Sequence, residues 1–263
     1  MTVGPRVSTW TGTGGTVVER EGIAAVLGDL RPRFGDTALI GGDPARCARV
    51  LGVDGIAVSL TTNPVGPGLG ELIWYASDTS ARLEDLQYTQ GQGPGPETAA
   101  TCTAVMEPDL SRVAPDRWPM LLPDALDLGV RAVFAFPLRV GGACLGTLTL
   151  QRGARGGLEG SAGSDVRMLA RALTAVVLNG GTVTDAFATA ERGSEFYRAV
   201  VHQATGMVSA QAEVSLAQAL LLLRAHAYRH GRTVVDVSED VVARRVRFAN
   251  DGTEPDASGP GRE

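Results

Sequence analysis

Lysine is absent from the 263 residues, so all 24 cationic side chains are arginine. Arginine stays charged at any physiological pH and offers a planar fork suited to phosphate and carboxylate. Aromatic residues make up only 5% of the chain, which calls for an aliphatic core. Cysteine occurs at Cys47, Cys102 and Cys144 alone. That odd number and wide spacing excludes a paired disulfide framework and offers no zinc-ligand cluster. No histidine precedes His202, so most of the chain lacks the commonest general base. No run is long and apolar enough to span a membrane, and the opening "MTVGPRVSTWTGTGGT" has no apolar leader segment. A reduced cytoplasmic setting, with no membrane partner, is the expectation. A strong basic excess is also missing: the formal net charge is −5.

What is present is length enough for two domains and a hydrophobic content of 44%. Charge is unevenly placed. Residues 191–249 carry eight arginines and six acids, whereas residues 1–190 carry fifteen and nineteen. Residues 1–16 read as a disordered start. From 17 to 181 the pattern predicts a helix over 17–30, a short helix at "ARCARVLGV", and strands at "DGIAVSL" and "GELIWYASD". A helix over 80–90 follows, with Ser80 as its cap; "GQGPGPETAA" reads as a break, and "TCTAVMEPDL" as a short strand. A short helical excursion ends at Gly129. The hairpin "RAVFAFPLRVGGACLGTLTLQR" turns at Gly141-Gly142, and a helix over 164–180 opens at Ser164. The fold class is therefore α+β: one mixed sheet with flanking helices, followed by an all-α bundle.

Residues 182–249 contain no proline and no strand signal. A long helix is predicted from about Thr184 to Ala210, a candidate dimerising stalk. Ser215 with Gln218 forms a capping box, and Leu216, Ala219, Leu220, Leu223 and Ala227 mark one helical face before Gly231. Thr233 with Asp236 opens the next helix, whose apolar face is Val234, Val237, Val241 and Val242. The tail 250–263 is polar and reads as disordered.

Within this part, "QATGMV", "AL…LRAHA" and "DVVARRVRF" occur in order. Over about 190–249 they resemble the ANTAR domain, an RNA-binding transcription-antitermination module. "LEDLQYTQGQGPGPE", "LGVRAVFAFPL" and "GGACLGTLTLQR", within about 20–180, resemble a GAF domain of the kind that precedes ANTAR in actinobacterial regulators. The resemblance implies a cytoplasmic, dimeric regulator in which the GAF part senses a signal and the ANTAR part binds hairpin loops in nascent RNA. No cyclic-nucleotide signature is present, and neither the signal nor a cofactor is assigned.

RNA loops are held by phosphate contacts and by bases stacked on aromatic or guanidinium planes. The candidates are His202, Gln203, Thr205, Gly206, Arg224, Tyr228, Arg244 and Arg245. Thr205 stands where many ANTAR members carry a basic residue. Gly206 admits either a packed helix or an approaching nucleotide. In the sensor half, the ligand-binding candidates are Trp74, Tyr88, Cys102, Trp118 and Phe134. Two other classes compete. A GAF-fold family reduces free methionine sulfoxide with clustered cysteines. A DNA- or protein-binding helical regulator could use "HGRT" as a helix-joining turn, although "VVDVSEDVV" sets three acids on the following helix.

Overall fold

The computed structural model describes residues 22–31, 40–61, 70–179 and 198–248. Helix α1 (Ile23–Leu27) buries Ile23 and Val26. Helix α2 (Pro44–Leu51) opens on Asp43, whose carboxylate accepts from the Ala45 N–H at 2.8 Å. Pro44 takes the first position, where no N–H is needed, and Gly52 closes the helix at φ 68°. Strands β1 (Gly55–Leu60) and β2 (Glu71–Tyr75) follow, then helices α3 (Asp78–Gln90) and α4 (Pro94–Thr101), strand β3 (Val105–Glu107), a 3₁₀ turn and helix α5 (Leu121–Asp127). Strands β4 (Ala132–Val140) and β5 (Ala143–Arg152) form the expected hairpin, and helix α6 (Ala162–Asn179) comes last before the bundle.

The five strands lie in the order β2-β1-β5-β4-β3, each ladder antiparallel. β1 and β5 approach closely at Gly146, where a Cβ would stand 2.3 Å from the Ser59 carbonyl oxygen. The strands alternate, and the two faces differ. Ile56, Val58, Leu60, Phe134, Leu148 and Leu150 form one apolar layer with α1, α2 and α6. The alternate positions Ser59, Thr147, Thr149 and Gln151 are just as buried, but polar. Helices α3 and α4 cover that polar face.

Three boundaries differ from the sequence reading. Ser77, not Ser80, caps α3, accepting from the Ser80 N–H at 3.2 Å. The Gly/Pro stretch taken as a break contains α4, because Pro94 and Pro96 sit in its first turn, where prolines are tolerated. Helix α6 starts at Ala162, so Ser164 lies inside it and is not the cap.

The C-terminal bundle comprises α7 (Ala199–Ala212), α8 (Leu216–Arg229) and α9 (Val234–Val242). The first two turn by 104° relative to one another. Both expected capping boxes are formed, at Ser215/Gln218 and Thr233/Asp236. Small and β-branched residues interlock: Val201, Ala204 and Val208 from α7, Ala219, Leu223 and Ala227 from α8, Val234, Val237 and Val241 from α9. Leu216 departs from the expected seam and is 61% exposed. The first half of the predicted stalk lies outside the described residues. Among the described residues, no single helix is long and apolar enough to cross a membrane.

Candidate nucleic-acid interface

One side of α7 is open. Gln203 and Gly206 are exposed, and an ideal Cβ on Gly206 would meet nothing within 4 Å. Helix packing therefore does not require this glycine, although a mid-helix glycine costs about 1 kcal/mol against alanine. His202 borders the same region, its Nε2 3.8 Å from the Glu71 carboxylate of β2. Thr205 is corrected: it is buried, and its hydroxyl donates to the Val201 carbonyl at 2.7 Å, so it cannot reach a phosphate in this arrangement.

At the far end of α9, Arg244 is exposed and takes a left-handed conformation, φ 61°. Arg245 is also exposed, yet its Nε donates to Asp240 at 2.6 Å. Asp240 receives Arg232 at 2.6 Å as well. Those two hydrogen bonds, Arg232's first, hold its carboxyl below the usual range. One of the three acids thought to repel a phosphate groove is thus neutralised locally. On α8, Tyr228 is 57% exposed. His226 stacks on His230 at 4.1 Å, and burial, with His230 and nearby arginines, lowers its pKa.

Arg224 is not on the open side. Its guanidinium lies 5.4 Å from the centre of the Tyr88 ring, on α3. Arg198, one residue before α7, stacks on the same ring at 4.0 Å. Tyr88 is 3% exposed and belongs to the bundle's apolar cluster, although its chain segment covers the sheet. Arg198 also pairs with Asp85 at 3.0 Å and donates to the Gly70 carbonyl, while its backbone N–H donates to Glu71. The Val234 N–H reaches the Thr89 hydroxyl at 3.4 Å. Bundle and sheet unit are thereby clamped through α3. Arg224 is half-buried; its Nε and Nη2 have no hydrogen-bond partner among the described residues, and burial brings its pKa down to about 10. Sequence reasoning missed Arg198; the only signal was a lone charge in "FYRAVV", ahead of an apolar helix.

The sensor candidates are not brought together. Trp74 and Phe134 sit in the apolar layer, Trp118 in a separate cluster with α5, and Tyr88 with the bundle. Trp118 donates its indole N–H to Glu97 at 3.2 Å. Cys102 caps α4 in a left-handed conformation and neighbours Cys144. A small recess of about 20 Å³, room for about one water, lies instead against the polar sheet face, lined by Ser59, Glu84, Gln87, Tyr88, Thr147 and Arg198. Buried Glu84 accepts from Ser59 at 2.6 Å and Gln87 at 2.9 Å, and Gln87 in turn accepts from the Gly95 N–H at 2.7 Å. The Cys47 thiol is pushed up to about 12 and Cys144 to about 11, each chiefly by burial. Among the described residues no cluster has metal-ligand geometry.

The family model for the ANTAR domain matches residues 197–242, the region of the bundle. No curated protein matches the chain. Solved structures similar to it include the GAF domain of a phosphoenolpyruvate-protein phosphotransferase from Acinetobacter, at 14% identity over 52% of this chain and 77% of that one, TM-score 0.40. The corresponding GAF domain from Coxiella burnetii aligns at 15% identity over 52% and 78%, TM-score 0.38. A type II free methionine-R-sulfoxide reductase from Thermoplasma acidophilum aligns at 12% identity over 47% and 78%, TM-score 0.35.

Proposed function

We propose that this protein is a signal-responsive RNA-binding regulator of transcription antitermination, with a GAF-type sensor controlling an ANTAR bundle that grips hairpin loops in nascent cytoplasmic transcripts. The observation that carries the reading is the coincidence of the ANTAR match, over 197–242, with a three-helix unit whose α7 glycine faces open space. Gln203 and the Gly206 backbone meet the loop, and Arg244 and Arg245 hold phosphates.

The clamp on Tyr88 is the control point. In the docked arrangement Arg224 is turned onto α3 and withheld from RNA. The polar recess shares Tyr88 and Arg198 with the clamp, so a small polar signal that widens it beside Glu84 displaces the same two side chains. A ligand with different affinities for the docked and released arrangements shifts their populations. Ala217, Leu221, Ala225 and Tyr228 form an exposed apolar stripe along α8 that suits association of two copies, which would place two bundles on one transcript. Leu221→Glu is expected to shift the chain towards monomer in sedimentation.

The thiol-enzyme reading is weakened at Cys47 and Cys144, where burial keeps the thiol protonated, since the thiolate is the nucleophile; the partly exposed Cys102 is the one thiol left to it. Gel-shift competition with the full chain tests the main reading. Hairpin RNA should outcompete duplex DNA, with affinity falling as salt rises, because bound counterions are released. Preference for the duplex overturns the assignment. Tyr88→Ala should tighten RNA binding by opening the clamp.

A further inference from the structure

A second recess lies where the two halves meet. It has a volume of about 350 Å³ and opens to solvent. One wall is the α3–α4 turn with Gly91, continuing into Pro96, Ala99 and Ala100 of α4; another is Arg117 with Trp118; Arg224 of α8 closes the third side. The charges on these walls are not balanced. Arg117 is satisfied: it makes a two-point contact with Glu97, at 2.8 and 3.1 Å, and also donates to Glu107. Arg224 has no hydrogen-bond or ion-pair partner among the described residues, only the face of Tyr88. A half-buried guanidinium in that position is poorly solvated and gains by meeting an anion. The remaining surface is small and apolar along Pro96, Ala99 and Ala100, with Gln92 and Gly93 at the α3–α4 turn. Gly91 keeps the approach to Arg224 clear: a Cβ there would stand 3.4 Å from Nη1.

We propose that this recess binds a small molecule that carries one anionic group on a flat apolar body. The anion meets Arg224, and the body lies along Pro96, Ala99 and Ala100. The ligand touches both halves and its site exists only while they are docked, so occupancy stabilises the docked arrangement by its own binding free energy. It follows by linkage that such a ligand and RNA oppose one another, if RNA needs Arg224. That consequence rests on the RNA-binding reading; the site itself does not, and it is tested without RNA.

The test is a fluorescence titration of the full chain with 1-anilinonaphthalene-8-sulfonate, a permanently charged anion on a flat apolar body, and with N-phenyl-1-naphthylamine, nearly the same body without the charge. One saturable site is expected for the sulfonate, with the neutral dye at least about tenfold weaker. Arg224→Met should remove that preference. Ala100→Trp, an exposed change on the opposite half that fills the recess, should weaken sulfonate binding by at least about tenfold while leaving the fold intact. Equal affinity for the two dyes overturns the proposal. So does sulfonate binding that survives Ala100→Trp, whatever Arg224→Met does, since the anion would then be bound elsewhere.

Discussion

The bundle has two arginine-bearing sides that behave in opposite ways. On the side facing α3, Arg198 and Arg224 enclose Tyr88, and Arg198 is 1% exposed with Asp85, Glu71 and Gly70 around it. Past the end of α9, Arg244 stands in solvent and Arg245, also exposed, donates to Asp240, while Gly206 on α7 faces empty space. The same residue type serves as an internal fastener at Arg198 and as an exposed hand at Arg244. What separates them is desolvation: a buried guanidinium must be paired or stacked, whereas an exposed one keeps its hydration until a phosphate replaces it.

The largest expected effect breaks the fastened side. Arg198→Met leaves Asp85 without this cation and the Gly70 carbonyl without its donor in a nearly closed space, and removal of one partner of such a pair costs about 3–5 kcal/mol. Thermal unfolding should show a clear loss of stability or an early, separate transition of the bundle, while RNA affinity at low temperature rises. The next effect sharpens the open side. Gly206→Ala should stabilise α7 by about 1 kcal/mol, because nothing obstructs the methyl group and the glycine's conformational entropy is removed. It should nevertheless weaken RNA binding, as the backbone can no longer be approached. A change that raises melting temperature and lowers affinity separates function from packing; an unchanged affinity would remove Gly206 from the interface.

Smaller again is the effect of single exposed cations. Arg244→Gln should weaken RNA binding nearly uniformly across hairpins and reduce the slope of affinity against salt by about one. The smallest is a pH effect. The His226 pKa is lowered in the fold by burial, then by His230, Arg232 and Arg229, with Asp240 opposing. The unfolded chain therefore binds the proton more readily, and stability falls as pH drops below about 6.5, levelling off once the depressed folded value is passed. His226→Gln should flatten melting temperature between pH 7 and pH 5 in the bundle; an unaltered slope would assign the effect elsewhere.

Local signals in the sequence were legible where chemistry is local. Both capping boxes, the Gly141-Gly142 hairpin and the Val234, Val237, Val241 face were read from residues that lie within a few positions of their partners. Helix α4 was hidden because prolines at its start look like breakers unless their place in the first turn is known. The clamp was hidden for a different reason. Tyr88 meets Arg198 and Arg224 across more than a hundred residues, and nothing in "LEDLQYTQ" marks that tyrosine as a bundle residue. Thr205 stood among the RNA candidates by its place in a motif, where many ANTAR members carry a basic residue, and the bond to the Val201 carbonyl turns it inward. The polar sheet face, too, reads as ordinary strand alternation until α3 and α4 are seen to cover it.

The position of Tyr88 has a practical corollary for anyone who would cut this chain in two. The bundle borrows an aromatic from a helix about a hundred residues upstream, so an excised fragment beginning at 198 would be born with a bare socket where that ring belongs. Such a piece should be stickier and more readily proteolysed than the parent, and a short peptide spanning α3 added in trans should protect it.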